Sequence, residues 1–187
     1  RAELTMILVT GGTGFVGFHT VKALHEAGHE VRLLVRSPDK MRRVRGKQIG
    51  AIFQDPLTSL NPLYSIGRQL TETILTHLPV KPDEARRRAV QLLQETGIPA
   101  AEARLDQYPH QFSGGMRQRV VIALALAAEP ELIVADEPTT ALDVSIQAQI
   151  IALLKRLCKE HHAAVMLVTH DMGVIAETCD RVAVMYA

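Results

Sequence analysis

Asp136 and Glu137 are the residues of this 187-residue chain whose type and placing most invite chemistry. They follow Leu132 to Ala135, a short apolar run that reads as a buried strand, and they precede Pro138, which stops it. In an open α/β sheet, ligands sit in the crevice at the carboxyl ends of the strands. Two neighbouring acids buried at such a tip are costly unless a cation or a proton compensates them. One acid then fits a Mg²⁺ role, and the next fits a base or water-positioning role in phosphoryl transfer. The plain alternative is an exposed turn with two solvated acids, and for an isolated Asp-Glu pair that alternative is the better one.

The flanking residues turn the balance. Arg45 to Gln54 reads as a strand leading into a loop at Gln54 and Asp55. Phe112-Ser113-Gly114-Gly115-Met116-Arg117-Gln118-Arg119 opens a helix through the apolar segment Val120 to Ala128. Asp143 follows the two acids in a loop, and Val165 to Asp171 reads as a strand ending in His170. Glutamine loop, Ser-Gly-Gly turn, Asp-Glu strand tip, Asp143 loop and histidine, in that order, resemble the ATP-binding subunit of ABC transporters. Pro56 to Gly67 is similar to the oligopeptide/dipeptide importer branch in particular. The resemblance covers about residues 41–187, and an ordered set is far more specific than any single motif.

The resemblance implies roles residue by residue. Gln54 would sense Mg²⁺ and the attacking water, Asp136 would hold Mg²⁺ through water, and Glu137 would act as general base. His170 would contact the γ-phosphate. Ser113, Gly114 and Gly115 would bind the γ-phosphate of an ATP held by the opposite subunit, which is anion binding at a helix N-terminus. Asp143 would link the two sites of the dimer. Met116 stands where many relatives have Gln. The implied partners are a second ATP-binding subunit and membrane permease subunits, and the implied location is the cytoplasm, peripheral at the inner face of the cell membrane. His110 reads as structural, and His161 and His162 as helix-end surface residues.

The N-terminal stretch carries a different pattern. Met6 to Thr10 reads as a strand, Gly11, Gly12, Gly14 and Gly17 as a glycine loop, the residues through His25 as a helix, and Glu30 to Val35 as a second strand. This is the dinucleotide-binding βαβ order, and it resembles the start of extended short-chain dehydrogenases and epimerases. An NAD-type site places an acid after the second strand. Arg36 and Ser37 stand there instead, which favours a 2′-phosphate and hence NADP; Arg36 reads equally well as a plain surface arginine. That family's Tyr-xxx-Lys pair is absent, since Arg68 follows Tyr64 and Phe112 follows Tyr108 at the lysine spacing. No hydride transfer is assigned.

An ABC ATPase also needs GxxxxGK[ST], whose backbone cradles phosphates, whose lysine reaches the β/γ-phosphates and whose hydroxyl holds Mg²⁺. Gly12 and Gly17 have the right separation, but Phe18 stands at the lysine position and His19 at the hydroxyl position. Gly46-Lys47 is no substitute, because Met41 would be its first glycine and Gln48 its hydroxyl residue. The expectation is a chimera: a Rossmann-like βαβ unit at about 1–40 and a partial ABC ATPase domain at about 41–187, with an impaired ATP site. The alternatives are an NAD(P)-binding module or an inactive hybrid.

The elements that must position these residues are α/β in class. A mainly parallel sheet with flanking helices is expected, of P-loop-NTPase type, with a helical subdomain at about 66–128 whose insertion runs from about Ile66 to Gln111. Gly67 to Thr76, Asp83 to Thr96, Val144 to Glu160 and Met172 to Thr178 read as helices, and Arg181 to Tyr186 as the start of a last strand. Ala85, Val90, Leu92 and Leu93 form the apolar stripe of the second helix. Net charge is +1, so no nucleic-acid partner is expected. The basic residues Lys40, Arg42, Arg43, Arg45 and Lys47 read as a solvated helix face. Two cysteines without a CxxC pair fit a reducing compartment rather than a structural zinc. The longest wholly apolar run, Val120 to Ala128, is too short to span a bilayer, and the first residues form no signal-peptide pattern. A soluble protein without direct membrane insertion is expected.

Overall fold

The computed structural model describes strands at 7–10 and 31–34 and residues 46–140 and 142–184, with Val144 by its backbone alone. Gly11, Gly12, Gly14, Gly17, Phe18, His19, Arg36 and the basic residues Lys40, Arg42, Arg43 and Arg45 lie outside the described residues. The chain divides into two compact units, Arg1–Val44 and Arg45–Ala187. In the first, β1 (Ile7–Thr10) pairs in parallel with β2 (Val31–Leu34), Ile7 opposite Val31 and Thr10 opposite Leu34.

The second unit carries the acids. Three short apolar runs become β3 (Ile49–Ile52), β4 (Leu132–Asp136) and β5 (Ala164–Val168), a parallel sheet in the order β3-β4-β5. The register sets Ile52 opposite Ala135, and Ala135 opposite Leu167. All three strands therefore end along one edge of the sheet. The central strand is the buried one, with Ile133 and Ala135 wholly inaccessible.

The helices of this unit are α1 (Pro56–Ser59), α2 (Ile66–His77), α3 (Pro82–Glu95), α4 (Ala101–Arg104), α5 (Gly114–Leu126), α6 (Val144–Glu160) and α7 (Met172–Thr178); α5 lies against β3 and α6 against β5, while α2, α3 and α4 pack on one another and on α5. Each long helix starts where local chemistry allows. Ser65 caps α2 through the Arg68 N–H, Pro82 opens α3 with Asp83 and Glu84 in its first turn, and Asp171 caps α7 through Gly173 and Val174. The helix α5 buries residues on all sides, Val120 to Ala123, Ala125 and Leu126 among them, as a helix in the middle of a core must. It lies against β3 so closely that a Cβ on Gly50 would sit 2.5 Å from the Ala125 carbonyl oxygen; only glycine permits that approach. The stripe of α3 is Ala85, Ala89, Leu92 and Leu93, with Val90 packed at its margin.

Gly97 ends α3 in the left-handed conformation, φ 76°. Its N–H bonds the Gln94 carbonyl, and the N–H of buried Ile98 bonds the Leu93 carbonyl, which is the paired closure of a Schellman motif. The end of α3 is then tied to other helices. Arg156 donates to the Glu95 carbonyl at 2.8 Å, Arg119 to the Thr96 carbonyl at 2.7 Å, and His161 Nε2 lies 2.9 Å from Glu95 Oε2. His161 is thus not the plain surface residue expected. It caps α6, and the chain's turn there swings its ring onto α3. His162 next to it is exposed at φ 55°.

The strand expected from Arg181 does not form in 181–184, which are exposed. Met185 and Tyr186, the rest of that expected strand, lie outside the described residues. Among the described residues no helix is long and apolar enough to cross a membrane.

Candidate functional site

The parallel register builds the site. Gln54 lies two residues past Ile52 at the end of β3, Glu137 two past Ala135 on β4, and His170 three past Leu167 on β5. Strands ending on one edge bring three sequence-distant side chains to one place. Glu137 does not extend β4 in the ordinary way. Its φ is 43°, left-handed for a side chain that pays for that backbone with steric strain, while its N–H still reaches the Val168 carbonyl at 2.9 Å.

Three donors meet the Glu137 carboxylate. Gln54 Nε2 donates to Oε2 at 2.8 Å, Thr140 Oγ1 donates to Oε2 at 2.9 Å, and His170 Nδ1 lies 2.8 Å from Oε1. The bond from His170, then that from Thr140, holds the carboxyl below the usual carboxylate range; partial burial opposes them and loses. Glu137 is therefore a carboxylate at neutral pH. The expected burial of two acids does not occur, because Asp136 is exposed and the Glu137 side chain is 26% exposed. Neighbouring donors, not a dry interior, compensate the charge.

Gln54, Glu137 and His170, expected to share a catalytic site, are in direct contact. Asp136 stands at the same strand tip with its side chain open to solvent. Asp136 and Gln54 are the residues expected at Mg²⁺. The Gln54 amide nitrogen is engaged with Glu137, so its carbonyl oxygen is the atom left for a cation. A carboxylate and an amide oxygen are hard donors that fit Mg²⁺, an ion usually held by one or two protein oxygens plus water and phosphate. Among the described residues no three His, Cys, Asp or Glu side chains cluster as a metal cage, which such a site does not require.

Ser113, Gly114 and Gly115 lie elsewhere. Ser113 caps α5, its Oγ accepting the Met116 N–H at 3.4 Å. A Cβ on Gly115 would meet Ile146 at 3.1 Å, and one on Gly114 would meet Leu142 at 3.8 Å. The Ser-Gly-Gly turn thus rests on the loop and first turn of α6, beside Asp143, whose side chain is exposed and makes no capping bond. Thr140 is the participant that sequence reasoning passed over. Its signal was a hydroxyl three residues after the acid, across the turn that Pro138 initiates. Burial on α6 pushes the Cys158 thiol up to about 11.

Residues 20–140 match the family described as ABC transporter. The chain belongs to this family. The fold is the ABC ATPase cassette, an α/β domain of P-loop-NTPase type with a parallel sheet. The oligopeptide transport ATP-binding protein OppD of Bacillus subtilis (strain 168) is 57% identical over 155 residues, which are 83% of this chain and 43% of the relative. OppD of Lactococcus lactis subsp. lactis (strain IL1403) is 46% identical over 198 aligned residues, 100% of this chain and 59% of the relative. The chain spans about half the length of the curated relatives it matches. Among solved structures, the ATP-binding cassette MJ0796, a dimer in a post-hydrolysis state with ADP and Pi, is 28% identical with a TM-score of 0.64. That match covers 93% of this chain and 78% of the cassette. The ABC family match begins at residue 20, inside the stretch expected to be Rossmann-like.

Proposed function

We propose that the chain is the ATP-binding and ATP-hydrolysing part of a peptide-type ABC importer, working in the cytoplasm with a second ATP-binding subunit and membrane permease subunits. The observation that supports this reading is the convergence of Gln54, Thr140 and His170 on Glu137 at the sheet edge. Glu137 takes a proton from the water that attacks the γ-phosphorus, the β–γ anhydride bond breaks, and ADP leaves. His170 and Gln54 aim the carboxylate and contact the phosphate end. Asp136 and the Gln54 carbonyl would hold a Mg²⁺, which when bound would supply charge neutralisation at the phosphate oxygens. Ser113 to Gly115 serve the nucleotide of the opposite subunit. Names of the relatives, oligopeptide and dipeptide transport ATP-binding proteins, support the peptide class.

The nucleotide site is weakened in this reading, because Phe18 and His19 replace the phosphate-loop lysine and hydroxyl. Charge-assisted contacts are the strong ones in phosphate binding. The test compares Mg-ATP affinity and melting temperature of the parent with Phe18→Lys/His19→Ser. The double variant gains at least about tenfold in affinity, a modest return for one restored charge-assisted contact. A folded double variant with no gain would overturn the phosphate-loop placement. Tight ATP binding with steady phosphate release by the parent would overturn the weakened site.

A second reading, an NADP-type site on residues 6–37, rests on the parallel β1–β2 pair flanking the glycine loop and on Arg36. Preferential binding of NADPH over NADH, reversed by Arg36→Asp, supports it; binding of neither retires it.

A further inference from the structure

Glu137 has long side-chain freedom and sits on a strained backbone, yet its carboxylate has a defined aim. Two of its three partners come from other strands and, like Thr140, are exposed. His170 is 76% exposed, and Gln54 is an exposed side chain at the end of another strand. Thr140 differs from both. It belongs to Glu137's own turn, its N–H reaching the Glu137 carbonyl at 3.3 Å while its hydroxyl reaches Oε2 at 2.9 Å. A β-branched side chain has fewer χ1 wells than an unbranched one, so this hydroxyl, though exposed, is tied closely to the turn that carries the carboxylate.

The sharing of oxygens gives the contact a purpose. Gln54 and Thr140 both donate to Oε2, and His170 faces Oε1. With Gln54 in place both lone-pair sites of Oε2 are taken, and one site on Oε1 beside His170 stays open for a proton. Whenever Gln54 releases Glu137, one lone-pair site of Oε2 opens, and the other remains engaged by Thr140. We propose that Thr140 is a positioning residue for Glu137, its hydroxyl keeping the carboxylate aimed while Gln54 comes and goes. This rests on the ATPase reading above for its role in turnover, but not for its geometry.

The test uses the whole nucleotide-free chain and the NMR signals of the Gln54 side-chain amide and the His170 ring. Thr140→Val removes the hydroxyl at equal shape, and Thr140→Ser restores it. In the valine variant the Gln54 amide moves toward the signals of a free glutamine. Its exchange with water quickens at least about fivefold, the population change expected when one hydrogen bond's net contribution is lost. In the serine variant both stay near the parent. A folded valine variant with Gln54 and His170 signals unmoved would overturn the proposal. Failure of both Thr140→Val and Thr140→Ala to fold, beside a folded Thr140→Ser, would also overturn it, since the hydroxyl would then support the fold and not one carboxylate. Failure of the ATPase reading shows separately, as absent phosphate release after the phosphate loop is restored.

Discussion

Two glutamate–histidine pairs in this molecule look alike in isolation. Glu137 lies 2.8 Å from His170, and Glu95 lies 2.9 Å from His161. The two carboxylate side chains are 26% and 25% exposed, so burial of the acid does not separate them. The rings do: His170 is 76% exposed and His161 only 25%. The backbones differ as well. Glu95 and His161 sit at the ends of α3 and α6, with Arg156 and Arg119 clamping the same turn by its carbonyls. Glu137 sits at a strand tip at φ 43°, with partners from three separate segments. One pair fastens two helices together. The other keeps an open side, which a reacting group needs and a fastening does not. Even the cleft beside Glu95, about 290 Å³, is bordered by groups already paired with one another, Arg88 with Glu84 and Glu129, and His161 with Glu95.

The sharpest way to break this contrast is to neutralise each acid in the chain with its phosphate loop restored, Phe18→Lys/His19→Ser. Glu137→Gln lowers phosphate release at least about 100-fold, the smaller end of what a general base supplies. Glu95→Gln leaves release within about twofold, because no remote hydrogen bond of this kind touches the reacting atoms. Equal losses in the two variants would erase the distinction.

Stability should rank the pairs the other way, with a smaller effect. Glu95→Ala or His161→Ala costs about 1 kcal/mol, a charged hydrogen bond discounted for its solvent exposure. Chemical unfolding reads this directly, and the double variant loses no more than either single one if the pair acts as a unit. Glu137→Ala, which relieves no clamp between helices, changes stability by less.

The smallest effect is a pH dependence. The Glu137 carboxyl is held low in the folded chain by His170 and Thr140. A group whose folded pKa is depressed adds stability above its unfolded value and loses it as pH falls through the folded one. Acid unfolding of Glu137→Gln should therefore be shallower than that of the parent through and below the ordinary carboxylate range. Superimposable profiles would remove the inferred contacts from solution.

Much of this could be read from the chain, and the failures have physical causes. α6 and α7 begin and end where their sequence patterns place them, at Val144–Glu160 and Met172–Thr178. Asp143 and Asp171 stand directly before their first turns, and Gly97 closes α3 as a glycine should. Gln54, Glu137 and His170 stood out by motif, but nothing in one sequence gives the register that joins β3, β4 and β5. Thr140 was missed because its bond depends on the left-handed backbone of Glu137, a conformation that sequence patterns assign to glycine. His161 was misplaced because its partner is 66 residues away on another helix. Of the strand expected from Arg181 to Tyr186, the described residues 181–184 carry none.

The central claim is that nucleotide meets the Glu137 pair and not the Glu95 pair. The direct measurement is an NMR titration of the phosphate-loop-restored chain with Mg-ATP, following the ring signals of His170 and His161. The account predicts that His170 and the Gln54 side-chain amide shift in step with ATP while His161 stays still. Movement of His161 with His170 unmoved, at saturating Mg-ATP, would contradict it.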